Sequence, residues 1–92
     1  LFDIVSPSVV QDGCSFHSVD VTSPERVNEA VREVVERYGR IDFLFNNAGY
    51  QGDFGKTDEY ASAEFAKVTS INVNGCYHVL NAVSRAMSIW LR

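Results

Sequence analysis

Two cysteines, two prolines and six glycines in 92 residues exclude several kinds of protein at the outset. Cys14 and Cys76 could pair in principle, but in a sequence that mixes strand and helix periodicities they read more simply as free thiols. Basic residues are the minority, with 8 Lys and Arg against 12 Asp and Glu, and the net charge of −4 argues against non-specific binding to nucleic acid or anionic membrane. No run approaches the roughly 18 apolar residues of a membrane span, no basic-then-apolar leader opens the chain, and there is no Asn-x-Ser/Thr sequon. A cytoplasmic protein is the resulting expectation. Cys14-x-x-His17 and Cys76-x-His78 lack the paired spacing of a zinc site, and Asp53, Asp58, Glu59 and Glu64 lack the spacing of a calcium loop, so no metal is expected. The length allows one domain. The chain opens on Leu1 and closes on Arg92 with no Gly or Pro stop signal, which reads as a piece cut from something longer.

What remains is an α/β pattern. Leu1–Val5 reads as the tail of a strand, broken by Ser6-Pro7-Ser8, and Val9–Asp12 as a single helical turn ended by Gly13. Ser15–Val21 alternates and is β-rich. Thr22 and Glu25 have capping-box spacing, with Pro24 in the first turn. Val27, Ala30, Val31, Val34, Val35 and Tyr38 then form the apolar face of a helix that Gly39 stops. Arg40–Phe45 reads as a strand buried on both faces, as in a parallel sheet covered by helices. An acidic, glycine-containing loop follows over Tyr50–Tyr60. Ser62 then caps a long helix whose stripe runs through Phe65, Val68, Asn72, Cys76, Val79, Val83, Ala86 and Trp90. Phe65, Tyr77 and Trp90 read as core or helix-interface residues. The order is βαβα, with a right-handed crossover.

The chemistry sits where strands end. Asp42-Phe43-Leu44-Phe45 runs into Asn46-Asn47-Ala48-Gly49. In an open parallel sheet, ligands bind beyond the carboxyl ends of the strands. Small residues at Ala48 and Gly49 let a ligand approach the backbone, and side-chain amides both donate and accept. For a generic Asn-Asn pair a polar strand-to-loop turn without a ligand is the commoner explanation, and the position after a buried strand narrows it. Asn72 lies on the apolar stripe, where an unpartnered buried amide costs about 1–3 kcal/mol, so specific hydrogen bonds are expected to hold it.

These residues resemble the Asn-Asn-Ala-Gly motif of the short-chain dehydrogenases/reductases. Val19-Asp20-Val21-Thr22 looks like the Asp-Val/Leu-Thr element at the end of that family's third strand, and Ile71-Asn72-Val73-Asn74-Gly75 like its central-helix element. The resemblance implies one partial NAD(P)-binding, Rossmann-like domain over residues 1–92, part of a doubly wound parallel sheet. It implies an oxidoreductase that moves hydride between nicotinamide and a secondary alcohol or ketone, a small-molecule substrate. Asp20 and Val21 would meet adenine, Asn46, Ala48 and Gly49 would line the cofactor ribose, and Asn47 would tie neighbouring strands. Asn72 would keep a local kink and hold the water of a Ser-Tyr-Lys-Asn proton relay. Asp3, an acid at the end of a second strand, leans the choice from NADP toward NAD, although little room for a second helix separates it from Asp20. Tyr50, Gln51 and Phe54 would either touch the substrate or form an ordinary surface loop. The long helix would pack against its copy in a homodimer or tetramer.

Two parts of the family pattern do not occur in these residues. No Gly-rich phosphate loop precedes Asp20, and none of Tyr38, Tyr50, Tyr60 and Tyr77 is followed by Lys four positions on. An alternative reading is a non-catalytic product that associates through its long helix. Nucleotide-sugar epimerases share the fold but usually replace the Asn-Asn-Ala-Gly motif. The 92 residues alone are expected to reduce no carbonyl compound with NAD(P)H above a boiled control. Turnover in a spectrophotometric assay would contradict the reading that the acid/base pair is missing.

Overall fold

Phe2–Asp3 (β1) and His17–Ser18 (β2) run parallel, with Phe2 opposite His17 and Asp3 opposite Ser18. The computed structural model describes residues 1–88. The pairing is closed by His17 N–H donating to Leu1 O at 2.8 Å and Val19 N–H to Asp3 O at 3.0 Å. Between the strands the chain makes a bare turn, Cys14 N–H to Gln11 O, where a helical turn over Val9–Asp12 was expected. Val9 and Val10 are exposed there, and one unsupported turn cannot offset the cost of helix nucleation.

After β2 comes α1, Pro24–Tyr38. Its cap is Ser23, whose hydroxyl accepts from Arg26 N–H, not the Thr22 of the capping-box reading. The Thr22 amide and hydroxyl instead both donate to Asp20. Gly39 ends the helix as expected, at φ 86°, a left-handed conformation that favours glycine, with its N–H on Val35 O.

Arg40–Phe45 is not a paired strand. Ile41 and Leu44 pack against the core, but Phe43 and Phe45 are exposed, at 86 % and 94 %. The cause is topological. In the doubly wound order 3-2-1-4, a strand that leaves the third strand's helix lands beyond the first strand, two strand-widths from the second. The pair β1–β2 therefore offers it no adjacent edge, and the segment runs unpaired with Phe43 and Phe45 in solvent.

The second helical region is continuous but not uniform: α2 over Ser62–Thr69, a π-helical turn over Ser70–Gly75, and α3 over Cys76–Ser88. Its cap position is Ala61 without a side-chain bond; Ser62, expected to cap, is already helical. A π turn inserts one residue, so faces before and after it are out of phase. That rotation leaves Phe65 and Asn72 exposed although a constant period puts them on the buried stripe, while Val79 and Val83 are buried as expected. Tyr77 is also exposed, and Trp90 lies outside the described residues.

The core joins strand end to helices: Val19 and Val21, Val27, Ala30 and Val31 of α1, and Val79, Ala82 and Val83 of α3. Each fully buried valine contributes roughly 1.5–3 kcal/mol relative to exposure. Gly75 permits the closest approach, since a Cβ there would stand 2.5 Å from Val21 Cγ2 and 3.1 Å from Val21 Cβ. Gly75→Ala gains about 1 kcal/mol of helix propensity but incurs about 1–3 kcal/mol of overpacking. The overpacking is expected to win, because Val21 is short, β-branched and buried. The variant should unfold at lower urea, with an unchanged denaturant slope.

Candidate functional site

Asp20 and Val21 stand just past the end of β2, on the edge where Asp3 ends β1. Asp20 Oδ1 accepts from Thr22 N–H at 2.9 Å and from the Thr22 hydroxyl at 2.7 Å. Those two bonds, the hydroxyl first, hold the carboxyl below its ordinary 3.8 against a smaller opposing effect of burial. Oδ2 has no partner among the described residues and faces an exposed setting. Val21 is buried, and its carbonyl accepts from His78 Nδ1 at 2.9 Å, which fixes His78 as the Nδ1–H tautomer. On β1, Asp3 Oδ1 accepts from Ile4 N–H at 2.7 Å.

The amide turn is pinned to the helix at two places. Asn46 Nδ2 donates to Cys76 O at 2.9 Å and lies 3.1 Å from Cys76 Sγ. Asn72 clasps the main chain of Tyr50: its Oδ1 accepts from Tyr50 N–H at 2.7 Å, and its Nδ2 donates to Tyr50 O at 2.8 Å. Asn72 belongs to the π turn, so the irregular stretch of the helix is also the one that carries this clasp. Asn72 is exposed, contrary to the buried amide expected; the pairing with Tyr50, not burial, holds it. Gly49 lies beside it, a Cβ at Gly49 falling 3.6 Å from Asn72 Oδ1. Ala48 is exposed on the same turn. Among the described residues no strand flanks Arg40–Phe45, so Asn47 ties none there. Cys14 and Cys76 are free thiols.

A second clasp was not legible in the sequence. Glu64 Oε1 accepts from the Tyr50 hydroxyl at 2.8 Å and from Asp53 N–H at 3.1 Å, and Lys67 Nζ sits 4.4 Å from the centre of the Tyr50 ring. The bond to Glu64, then burial, pushes the Tyr50 phenol above its ordinary value. Glu64 and Lys67 share one helical face, but in the sequence they are indistinguishable from solvated charges. His78 was equally hidden; only its offset from Asn72 along one helix pointed toward the same edge.

The low Asp20 pKa has a definite sign. A depressed carboxyl stabilises the fold above its unfolded value, and that contribution disappears as pH falls through the folded value, below 3.8. Thr22→Val removes the larger of the two donors. It is expected to move the Asp20 titration back toward 3.8, read from its side-chain carboxyl carbon by NMR.

Comparison with known proteins agrees with this arrangement. Residues 3–90 match the family described as Enoyl-(Acyl carrier protein) reductase. Short-chain dehydrogenase reductase 3a of Arabidopsis thaliana is 36% identical over 83 residues, which is 90% of this chain and 32% of that protein. The structure of NAD+-bound xylitol dehydrogenase superposes with a TM-score of 0.80 at 53% identity, covering 82% of this chain and 29% of that one. The structure of ElxO with NADP bound superposes with a TM-score of 0.74 at 35% identity, covering 77% and 29%. The chain spans about a third of the length of these relatives. With a matching family over nearly all its residues and a parallel strand pair of the same fold, the chain belongs to the short-chain dehydrogenase/reductase family of Rossmann-fold oxidoreductases.

Proposed function

We propose that these residues form the adenosine edge and the relay asparagine of an NAD(P)-dependent oxidoreductase acting on a small secondary alcohol or its ketone. One observation carries the reading. Residues 72–78 of the long helix hold the other two motif stretches at once, the amide turn through Asn72 on Tyr50 and Cys76 on Asn46, and the end of β2 through His78 on Val21. The cofactor supplies hydride transfer when bound; the side chains here bind and orient it. Asp20 Oδ2 is the acceptor for the exocyclic amine of adenine, with the Val21 amide beside it. A carboxylate held ionised, with one oxygen uncommitted at the carboxyl edge of parallel strands, fits that role. Asn46, Ala48 and Gly49 line the ribose. The Asn46 Nδ2 is committed to Cys76, so its Oδ1 and main chain are what it offers. Asn72 spends its side chain on Tyr50, so the relay water would be held by the main chain of the π turn.

Asp3 favours NAD over NADP, because a carboxylate on the neighbouring strand end repels a 2′-phosphate. The named likeness to xylitol dehydrogenase supports an alcohol substrate. Exposed Phe65, Tyr77 and Leu80 on the long helix support homo-oligomeric assembly, and they equally serve the reading of a non-catalytic chain that associates through this helix. Among the described residues no helix is long and apolar enough to cross a membrane. The exposed thiol of Cys14 supports a cytoplasmic location.

Amide-resolved NMR titration of the chain with NAD+, NADP+ and AMP tests the assignment. Shifts are expected at Asp20–Thr22 and Asn46–Tyr50, with NAD+ at least as effective as NADP+. Asp20→Asn is expected to weaken binding about tenfold or more, the equivalent of one charge-assisted hydrogen bond. Shifts confined to other surfaces, or none, would overturn it.

A further inference from the structure

The opposite end of β2 carries a hydrogen-bonded chain that the cofactor edge does not use. Ser15 Oγ lies 3.0 Å from His17 Nε2, and His17 Nδ1 lies 2.9 Å from Glu33 Oε2. Glu33 is itself oriented, its Oε1 accepting from Arg26 at 3.3 Å. The bond from His17, helped by the Arg26 charge, holds the Glu33 carboxyl below its usual range, so it only accepts. His17 Nδ1 must then donate, which makes Nε2 an acceptor and directs the Ser15 hydroxyl proton onto it. This is the order of bonds in an acyl-transfer triad: hydroxyl, imidazole, carboxylate.

Two further features suit the chemistry. The backbone here is tied to the strand beside it, since Ser15 O accepts from Leu1 N–H at 2.7 Å and His17 N–H donates to Leu1 O. His17 and Val19 turn their N–H groups to β1, so the N–H of Phe16 faces the open edge of β2. A main-chain N–H one residue after a serine nucleophile is a recurrent oxyanion donor. The side chains also differ in access: His17 is 12 % exposed, shielded by an edge-on Phe2 ring, whereas Ser15 and Glu33 reach solvent.

We propose that Ser15 is a nucleophile toward activated acyl esters, with His17 as its general base and Glu33 as the group that fixes the imidazole. Ser15 Oγ adds to the acyl carbon while its proton passes to His17 Nε2. The ester C–O bond breaks as the imidazolium returns its proton to the leaving oxygen, which departs as an alcohol or phenol, and an acyl ester remains on Ser15. Water, deprotonated by the same imidazole, then releases the carboxylic acid and restores the hydroxyl. No electrons are gained or lost. The site lies at the amino end of β2, whereas Asp20 lies past its carboxyl end, so this activity stands or falls apart from cofactor binding.

The test uses the 92-residue chain and p-nitrophenyl acetate, following p-nitrophenolate release and locating the acetyl group by peptide mass spectrometry. Ser15 is expected to acetylate about 100-fold faster than the exposed Ser6 and Ser8, the usual scale of general-base assistance. Ser15→Ala should remove that adduct. Glu33→Gln keeps a half-exposed surface position, and its amide spectrum reports whether the fold survives. It is expected to slow Ser15 acetylation at least about tenfold. Acetylation of Ser15 no faster than of Ser6 and Ser8, labelling only at amines, or an unchanged rate in folded Glu33→Gln would each overturn the proposal.

Discussion

The approach of Gly75 to Val21 is the constraint on which the site depends. It sets the helix close enough to the end of β2 for His78 to reach the Val21 carbonyl. The same closeness puts Cys76 against Asn46 and Asn72 against Tyr50. A side chain at position 75 would push the helix away from all three. Packing and polar geometry are thus one problem: the valine–alanine core between α1 and α3 fixes the helix axis, and the missing Cβ lets its polar residues touch the strand ends.

The polar contacts at this edge differ in strength for physical reasons. Asn72 makes two complementary bonds to one residue's main chain, which resembles a single rung of a β-ladder made by a side chain. Each such bond is worth about 0.5–1.5 kcal/mol net, less where water competes, and Asn72 is exposed. The Tyr50–Glu64–Lys67 group is likewise open to solvent, so its charges are screened and it orders the loop more than it stabilises the fold. The core carries the stability, and the polar contacts of the edge fix local geometry.

Much of this was legible in the sequence, in unequal parts. The α1 helix was readable because its start, stripe and Gly39 stop are all local signals. The motifs at Asp20, Asn46–Gly49 and Asn72 were readable because each spends polar residues where a strand or stripe calls for apolar ones. Arg40–Phe45 was misread as a paired strand because pairing is a property of neighbours, and composition reports only the capacity for it. The exposure of Asn72 and Phe65 was missed because a constant period cannot show an inserted residue. The cap falls at Ser23 because the helix starts at Pro24, one residue later than the capping-box spacing implied, while Thr22 turns its donors to Asp20, and both arrangements are local.

The π turn over Ser70–Gly75 has one more consequence. It lets the long helix carry one more residue between α2 and α3 than regular α geometry would hold. Deleting a single residue there would restore unbroken α geometry and improve local hydrogen bonding. The wide turn absorbs its extra residue, so α2 and α3 would keep their mutual phase, but the turn itself would re-form with Asn72 displaced from Tyr50. The less regular backbone is what lets one rod present a polar grip and an apolar face in the phase this fold needs.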